Sequence, residues 1–240
     1  MPRLKWIIAL PLAAVLLLLG GTWTYINVLR DDAPARLVLE GNVSDNMPAT
    51  TATTTAAGAT ATAPASFDGT WVATTGSQAG YRVDEILFGQ NVEAVGRTSN
   101  VDGALTITGA TVESAAISID LASVESDESR RDNQFRGRIM NVAQYPTATF
   151  TLKSPIDLGT LPADGATVTV PATGELTLHG TKKTATVNVT AKRSGGTIAV
   201  QGAIPVVFAD YGIPSPSFGP AEVEDHGEIE FLVTFAKSNS

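Results

Sequence analysis

From residue 67 onward the chain alternates between apolar and polar positions with a period of two. The clearest run is Ile117, Ile119 and Leu121, and similar runs recur as far as Phe235. The positions between the apolar residues are mostly Thr, Ser, Glu, Asp or Asn. Such alternation is typical of antiparallel β-sheet in which one face is buried. The pattern therefore predicts an all-β domain over residues 67–240.

Turn signals divide this domain into strands. The glycine-containing pairs that we expect to form turns are Asp102-Gly103, Asp164-Gly165, His179-Gly180 and Gly195-Gly196. Their spacing predicts seven or eight strands, with one short helical insert near residues 130–138. An antiparallel barrel and a β-sandwich both satisfy this pattern, and periodicity does not decide between them.

The first 28 residues follow a different pattern. Residues 1–5 carry Arg3 and Lys5, and residues 6–28 are almost wholly apolar. Roughly 21 helical residues at about 1.5 Å each span about 30 Å, the thickness of a bilayer's hydrocarbon core. Because the positive charges come first, the pattern predicts a transmembrane signal-anchor with a short cytoplasmic N-terminus and an extracytoplasmic β-domain. The alternative is a cleaved signal peptide and a secreted protein.

Residues 29–66 join the apolar segment to the β-domain. They include a Thr- and Ala-rich tract without a charged residue between Asp45 and Asp68. The tract lacks hydrophobic periodicity and contains Pro48 and Pro64, so we expect a disordered linker.

Charge and composition exclude several classes of function. The net charge is −8, whereas binding to nucleic acid needs clustered Lys and Arg, so no nucleic-acid partner is expected. The chain has no cysteine, which excludes disulfides and thiolate metal sites. His179 and His226, the two histidines, do not have zinc-site spacing, and there is no G-x-S-x-G nucleophile motif. We therefore predict no catalytic residues, no metal and no cofactor.

The stretch 120–150 resembles the signature of the YceI-like family of polyisoprenoid-binding proteins. The residues that carry the resemblance are Asp120, Ser123, Val124, Arg131, Asp132, Tyr145, Pro146 and Phe150, supported by the later stretches 174–180 and 208–213. The sequence departs from the family at Ala209, where relatives often have a basic residue, and this leaves the head-group preference open.

The resemblance implies a lipocalin-like antiparallel barrel of about eight strands with an elongated apolar pocket for a long isoprenoid chain. From the alternation alone, a packed core is the simpler interpretation; the resemblance favours a cavity. The cavity candidates are Leu105, Ile107, Ile117, Ile119, Leu121, Phe135, Phe150, Leu152, Val168, Val170, Leu176, Leu178, Val187, Val189, Ile198, Val200, Phe208, Phe231 and Val233.

Four residues are candidates for contact with a ligand's polar head at the barrel mouth, namely Arg130, Arg131, Asp132 and Tyr211. An Arg guanidinium suits a bidentate acceptor. However, an Arg next to an Asp already has a candidate counterion, so an internal role that ties the helical insert to the rim is the favoured alternative for Arg131 and Asp132.

We therefore expect a membrane-tethered, extracytoplasmic protein that sequesters or carries a polyisoprenoid or an isoprenoid quinone. The partners expected are that lipid and, through the N-terminal helix, the membrane; a homodimer is left open. The alternative from another class is a filled barrel or sandwich on a stalk that binds a protein or a glycan.

Overall fold

The structure is a computed structural model, and it describes residues 33–39, 67–219 and 221–238. Thirteen strands lie in these residues. They are β1 Gly69–Ala73, β2 Gln78–Leu87, β3 Gln90–Thr98, β4 Val101–Thr108, β5 Thr111–Asp120, β6 Glu125–Ser126, β7 Thr147–Leu152, β8 Ile156–Asp157, β9 Thr167–Leu178, β10 Thr181–Ser194, β11 Thr197–Val207, β12 Ala221–Val223 and β13 His226–Lys237. One short helix, α1 (Ser129–Gln134), continues into a π-helical turn at Phe135–Ile139.

The strands close into an antiparallel barrel. β1 and β2 both pair with β13, and they lie end to end, so that together they occupy one strand position of the barrel. β4 and β3 pair with β1 and β2 and occupy the next position in the same way. The order then runs through β5, β7, β9, β10 and β11 back to β13. The predicted eight-stranded antiparallel barrel with one short helical insert is therefore confirmed.

The two ends of the barrel differ in how they are covered. At one end, here called the mouth end, lie the β2–β3 turn, the β9–β10 turn, the insert that contains α1, and the segment 208–225. At the other, the closed end, lie the β4–β5 and β10–β11 turns and the segment 153–166. The connections are longer at the mouth end, and they contain the candidate mouth residues Arg130, Arg131, Asp132 and Tyr211.

Two tight turns at the mouth end depend on residues with positive φ. Phe88 and Gly89 have φ of 51° and 81°, and His179 and Gly180 have φ of 49° and 75°. Positive φ at both central residues is the requirement of a type I′ hairpin, which matches the twist of the flanking strands. The predicted turn at His179-Gly180 is confirmed.

The turn predicted at Asp102-Gly103 is wrong. Both residues lie inside β4, paired with Ser118 and Ile117 of β5. A Cβ on Gly103 would lie 2.9 Å from the Ala116 carbonyl oxygen, so glycine permits the close approach of two strands here.

The predicted cytoplasmic N-terminus (residues 1–5) and transmembrane anchor (residues 6–28) lie outside the described residues, as does most of the linker 29–66. Within the described part of the chain, no helix is long and apolar enough to cross a membrane. One piece of the linker, residues 33–39, is described and runs along the outer wall of the barrel, where Leu39 is buried. We call this piece the strap.

Candidate functional site

The mouth half of the barrel contains a cavity of about 900 Å³. Inward-facing side chains of β2, β5, β9 and β13 form its wall, and the insert and the segment 208–225 cover it. Of the predicted cavity residues, those that line it are Ile119, Leu121, Phe135, Leu178 and Phe208. A volume of this size lies within the range of roughly 300–1,000 Å³ that is usual for small-molecule sites.

The closed half of the barrel contains a much smaller space of about 120 Å³. The predicted cavity residues that line it are Leu105, Ile107, Ile117, Phe150, Val168, Val170, Val187, Val189, Ile198, Val200 and Phe231. Three further candidates line neither space: Leu176 and Val233 are buried in the packed core, and Leu152 packs against that core. The structure thus divides the predicted apolar face between a cavity and a nearly filled core.

Tyr81 is the most distinctive polar residue in the main cavity. It lies on β2 with its ring stacked on Phe135 at 5.0 Å between centroids. Its hydroxyl oxygen is buried and has no hydrogen-bond partner among the described residues. Burial raises the pKa of Tyr81 to about 12. The nearby Ser126 hydroxyl acts to lower this pKa. Its own proton, however, is donated to Asp132 at 2.6 Å.

Arg131 lines the same cavity, but its charge is already balanced. It forms ion pairs with Asp127, one turn earlier, and with Glu85 of β2 at 3.2 Å. Burial lowers the pKa of Arg131, but the two carboxylates outweigh burial and raise it overall. Arg131 therefore stays protonated, with little net positive charge left for a ligand.

The other three mouth candidates occupy different places. Arg130 is exposed and lines the cavity. Asp132 is buried, and it accepts hydrogen bonds from the backbone N–H and the hydroxyl of Ser126, so it ties α1 to β6. Tyr211 is buried outside the cavity lining, and its carbonyl lies 3.2 Å from His179 Nδ1. The internal role foreseen as the alternative thus fits the contacts of Asp132.

The two histidines have local partners. His179 packs edge-on against the Tyr145 ring at 4.7 Å in the β9–β10 turn. His226 is exposed, with Nδ1 2.9 Å from Asp225, and that hydrogen bond raises its pKa. Glu224, Asp225 and His226 lie close enough together to offer three ligand atoms to a metal ion, but all three are exposed.

Several cavity residues were absent from the sequence-based candidates. They are Tyr81, Val83, Glu85, Val206 and Ile229. The signal was present: Ala79, Tyr81, Val83 and Glu85 alternate along β2 with period two, and all face inward. A tyrosine and a glutamate on an otherwise apolar face weaken the alternation, and together with the charged residues of the insert they give the cavity its polar character.

Comparisons with known proteins agree on the fold. A family model, the YceI-like domain, matches residues 71–235. A polyisoprenoid binding domain from Saccharophagus degradans, implicated in plant cell wall breakdown, aligns with a TM-score of 0.58 at 21% identity, over 70% of this chain and 98% of that chain. Burkholderia cenocepacia BcnA aligns with a TM-score of 0.51 at 24% identity, over 66% of this chain and 95% of that chain. Curated protein sequences gave no match.

Proposed function

The chain belongs to the YceI-like family, and from that premise we propose that it binds an isoprenoid lipid in the mouth half of its barrel. By this proposal the protein sequesters or carries a polyisoprenoid or an isoprenoid quinone and catalyses no reaction. The observation that carries the proposal is the cavity of about 900 Å³ inside an eight-stranded barrel. The family consists of binding proteins, which supports the same class of function.

An apolar tail suits the inner part of this cavity. Leu178, Val206 and Ile229 present aliphatic surface there. Burial of each CH₂ group contributes about 0.8 kcal/mol, so affinity would grow with the length of tail enclosed. Because the closed half holds only about 120 Å³, the cavity sets an upper limit on that length.

The polar groups at the mouth favour an uncharged head that accepts hydrogen bonds. The buried Tyr81 hydroxyl is a donor without a partner among the described residues, and a ligand carbonyl would remove that desolvation cost. A phosphate would meet three carboxylates, those of Glu85, Asp127 and Glu128, all of which line the cavity. The cations in the insert's part of the lining are Arg131, which is already paired, and the exposed Arg130, so the carboxylates outnumber them. We therefore propose a quinone-type carbonyl head in preference to a phosphate or pyrophosphate.

Membrane attachment and an extracytoplasmic location are further parts of the proposal. They rest on the apolar segment 6–28 and on Arg3 and Lys5 before it. A lipid-carrying barrel that stays attached to the membrane could exchange its ligand with the bilayer without diffusing through water.

The direct test is native mass spectrometry and lipid extraction of the full chain purified from its own membrane in mild detergent. We expect a bound isoprenoid lipid of defined mass. The lipid-free protein is then offered an isoprenoid quinone and a polyprenyl phosphate of equal tail length. Uptake of neither compound, together with no co-purified lipid, would refute lipid binding. Preferential uptake of the phosphate would refute the proposed head group alone.

A further inference from the structure

Large apolar side chains are exposed around the mouth of the barrel. Among the described residues, six large hydrophobic side chains are exposed, and four of them lie at the mouth end. These four, which we call the rim, are Ile86 (37% exposed), Phe88 (53%), Val207 (47%) and Phe218 (57%). Exposed phenylalanines concentrated at one end of an acidic protein indicate an interaction surface.

The strand register places the rim residues around the same opening. Phe88 occupies the β2–β3 turn, directly after Ile86 and Leu87. Phe218 bridges to Ala221, which pairs with Leu87, so the two phenylalanines lie at one corner of the mouth. Both also line the main cavity. Val207 ends β11 opposite His226. A surface that contacts the rim would therefore also face the cavity opening.

The strap shows from which end the preceding chain reaches the barrel. Arg36 forms an ion pair with Glu228, near the mouth end of β13, and the Leu37 amide donates to Glu230 at 3.5 Å. The Leu39 amide donates to Gln201, which pairs with Leu232, further toward the closed end. Residues 36–39 of the strap thus run along β13 from the mouth end toward the closed end, and the carbonyls of Pro34 and Ala35 lie on Arg82 and Arg97 of β2 and β3.

A buried ion network holds the strap in this direction. Arg82 and Glu230 are both almost fully buried on the outer face; Arg82 pairs with Glu93 at 2.6 Å and Glu230 with Arg97 at 2.6 Å. Arg82 also donates to the Pro34 carbonyl at 2.7 Å. The strap covers these charges. Loss of one partner from a buried ion pair strongly destabilises the folded protein. The contact therefore fixes the direction of the chain.

We propose that the rim rests in the surface of the bilayer to which the chain is anchored, so that the cavity opens toward lipid. This inference rests on the proposed membrane attachment. Only residues 29–32 separate the apolar segment 6–28 from the strap, and even fully extended they bridge less than about 20 Å. The barrel is thus held against the membrane with its mouth on the near side, instead of moving on a tether of roughly 40 residues.

The contact depends on apolar insertion and not on attraction between charges. Asp84, Glu222, Glu224 and Asp225 are acidic residues of the strands and the turn next to the rim. These four carboxylates outnumber Arg130 and Arg138, the exposed arginines of the insert at the same end, so this end does not attract anionic lipid. A zwitterionic phosphatidylcholine surface, which has no net charge, therefore suffices, and the contact changes little with salt.

Site-directed spin labelling tests the proposal directly, since the chain has no cysteine of its own. The full chain is reconstituted in phosphatidylcholine vesicles with a nitroxide at Phe88→Cys or Phe218→Cys. The matched control is Val72→Cys, which is 41% exposed on β1 at the closed end. We expect the ratio of oxygen to nickel-chelate accessibility to be severalfold higher at the two rim positions than at the control.

Equal ratios at rim and control positions would overturn the proposal, as would a chain that is recovered free of the vesicles. Native mass spectrometry of the unsubstituted chain and of the Val72→Cys control in the same vesicles separates this result from lipid carriage, because Phe88 and Phe218 themselves line the cavity. Lipid-loaded protein with a water-exposed rim refutes the docking alone, and an immersed rim without bound lipid refutes the lipid-binding proposal alone. Releasing the strap by Arg36→Ala with Leu39→Ser should lower the rim ratio toward the control value, and an unchanged ratio would show that the strap does not orient the barrel.

Discussion

The mouth half and the closed half of the barrel interior share the lining strands β5, β7, β9, β11 and β13 but differ in what fills them. The mouth half has about 900 Å³ of space and includes Tyr81, Glu85 and Arg131 in its wall. The closed half has about 120 Å³ and an almost entirely apolar lining. Period-two alternation occurs in both halves. It shows which side chains face inward, but it does not show whether side chains from opposite walls come into contact.

Aromatic rings explain much of the difference. In the closed half the Phe231 ring fills the space over Gly202, where an added Cβ would lie 2.6 Å from a ring carbon, and the Phe150 ring covers Gly174 in the same way. In the mouth half the cavity is lined in part by small residues, Ala94 and Ala148, and the rings of Tyr81 and Phe135 in its lining stack on each other at 5.0 Å. The same barrel is therefore a packed core at one end and a container at the other.

The largest effect that separates the two halves should come from truncating a buried ring. Phe235→Ala in the closed half removes a side chain that is only 1% exposed, and should lower the free energy of unfolding by about 3–5 kcal/mol. Phe135→Ala should cost less than that range, because its ring borders an existing cavity. Urea unfolding of the detergent-solubilised chain, followed by far-UV circular dichroism, measures both. Equal losses would mean that the mouth half is packed as tightly as the closed half.

Adding a larger side chain should likewise destabilise the closed half more than the mouth half. Val189→Trp in the closed half should destabilise by about 1–3 kcal/mol through overpacking. Ile119→Trp faces the larger space and should leave stability nearly unchanged while it abolishes uptake of an isoprenoid quinone. Unfolding curves and native mass spectrometry on the two variants make the comparison. A destabilised Ile119→Trp protein that still takes up quinone would contradict the assignment of the cavity.

Alkaline pH should act on the mouth half through Tyr81. Its pKa is raised from the model-peptide value of 10.0 to about 12, so the folded state favours the neutral phenol. The resulting stability is fully present below pH 10 and is lost as the pH rises toward 12, on the order of 1 kcal/mol per pH unit. Urea unfolding at several pH values measures this loss. Tyr81→Phe is the control: if its stability falls equally over that window, Tyr81 is not the group responsible.

The smallest effect expected is that of Tyr81→Phe at neutral pH. Removing a buried hydroxyl without a partner among the described residues should leave the lipid-free protein unchanged or raise its stability by up to about 1 kcal/mol. The same change should weaken quinone binding, because the carbonyl loses its donor. Thermal unfolding and quinone titration give the two values. A clear loss of stability would show that the hydroxyl already has a partner in the folded protein.

The sequence predicted the fold more completely than the site. Strand alternation and turn residues predict an antiparallel all-β domain of seven or eight strands, and the resemblance around residues 120–150 identifies the family and implies the barrel. The turn at Asp102-Gly103 failed because a glycine inside a strand can serve close approach as well as reversal. Tyr81 was missed because a tyrosine and a glutamate weaken the apolar alternation of β2. Its stacking on Phe135, 54 residues away in sequence, is visible only in the folded barrel.

The sequence by itself determined that one face of each strand is buried, since a period of two sends alternate side chains to opposite sides of a sheet. It also set the apolar character of residues 6–28 and the acidity of the chain. Only the tertiary structure decided where the interior is empty, because free volume depends on which side chains meet across the barrel. It likewise decided that Arg82 and Glu230, far apart in sequence, meet under residues 33–39 and hold them along the wall.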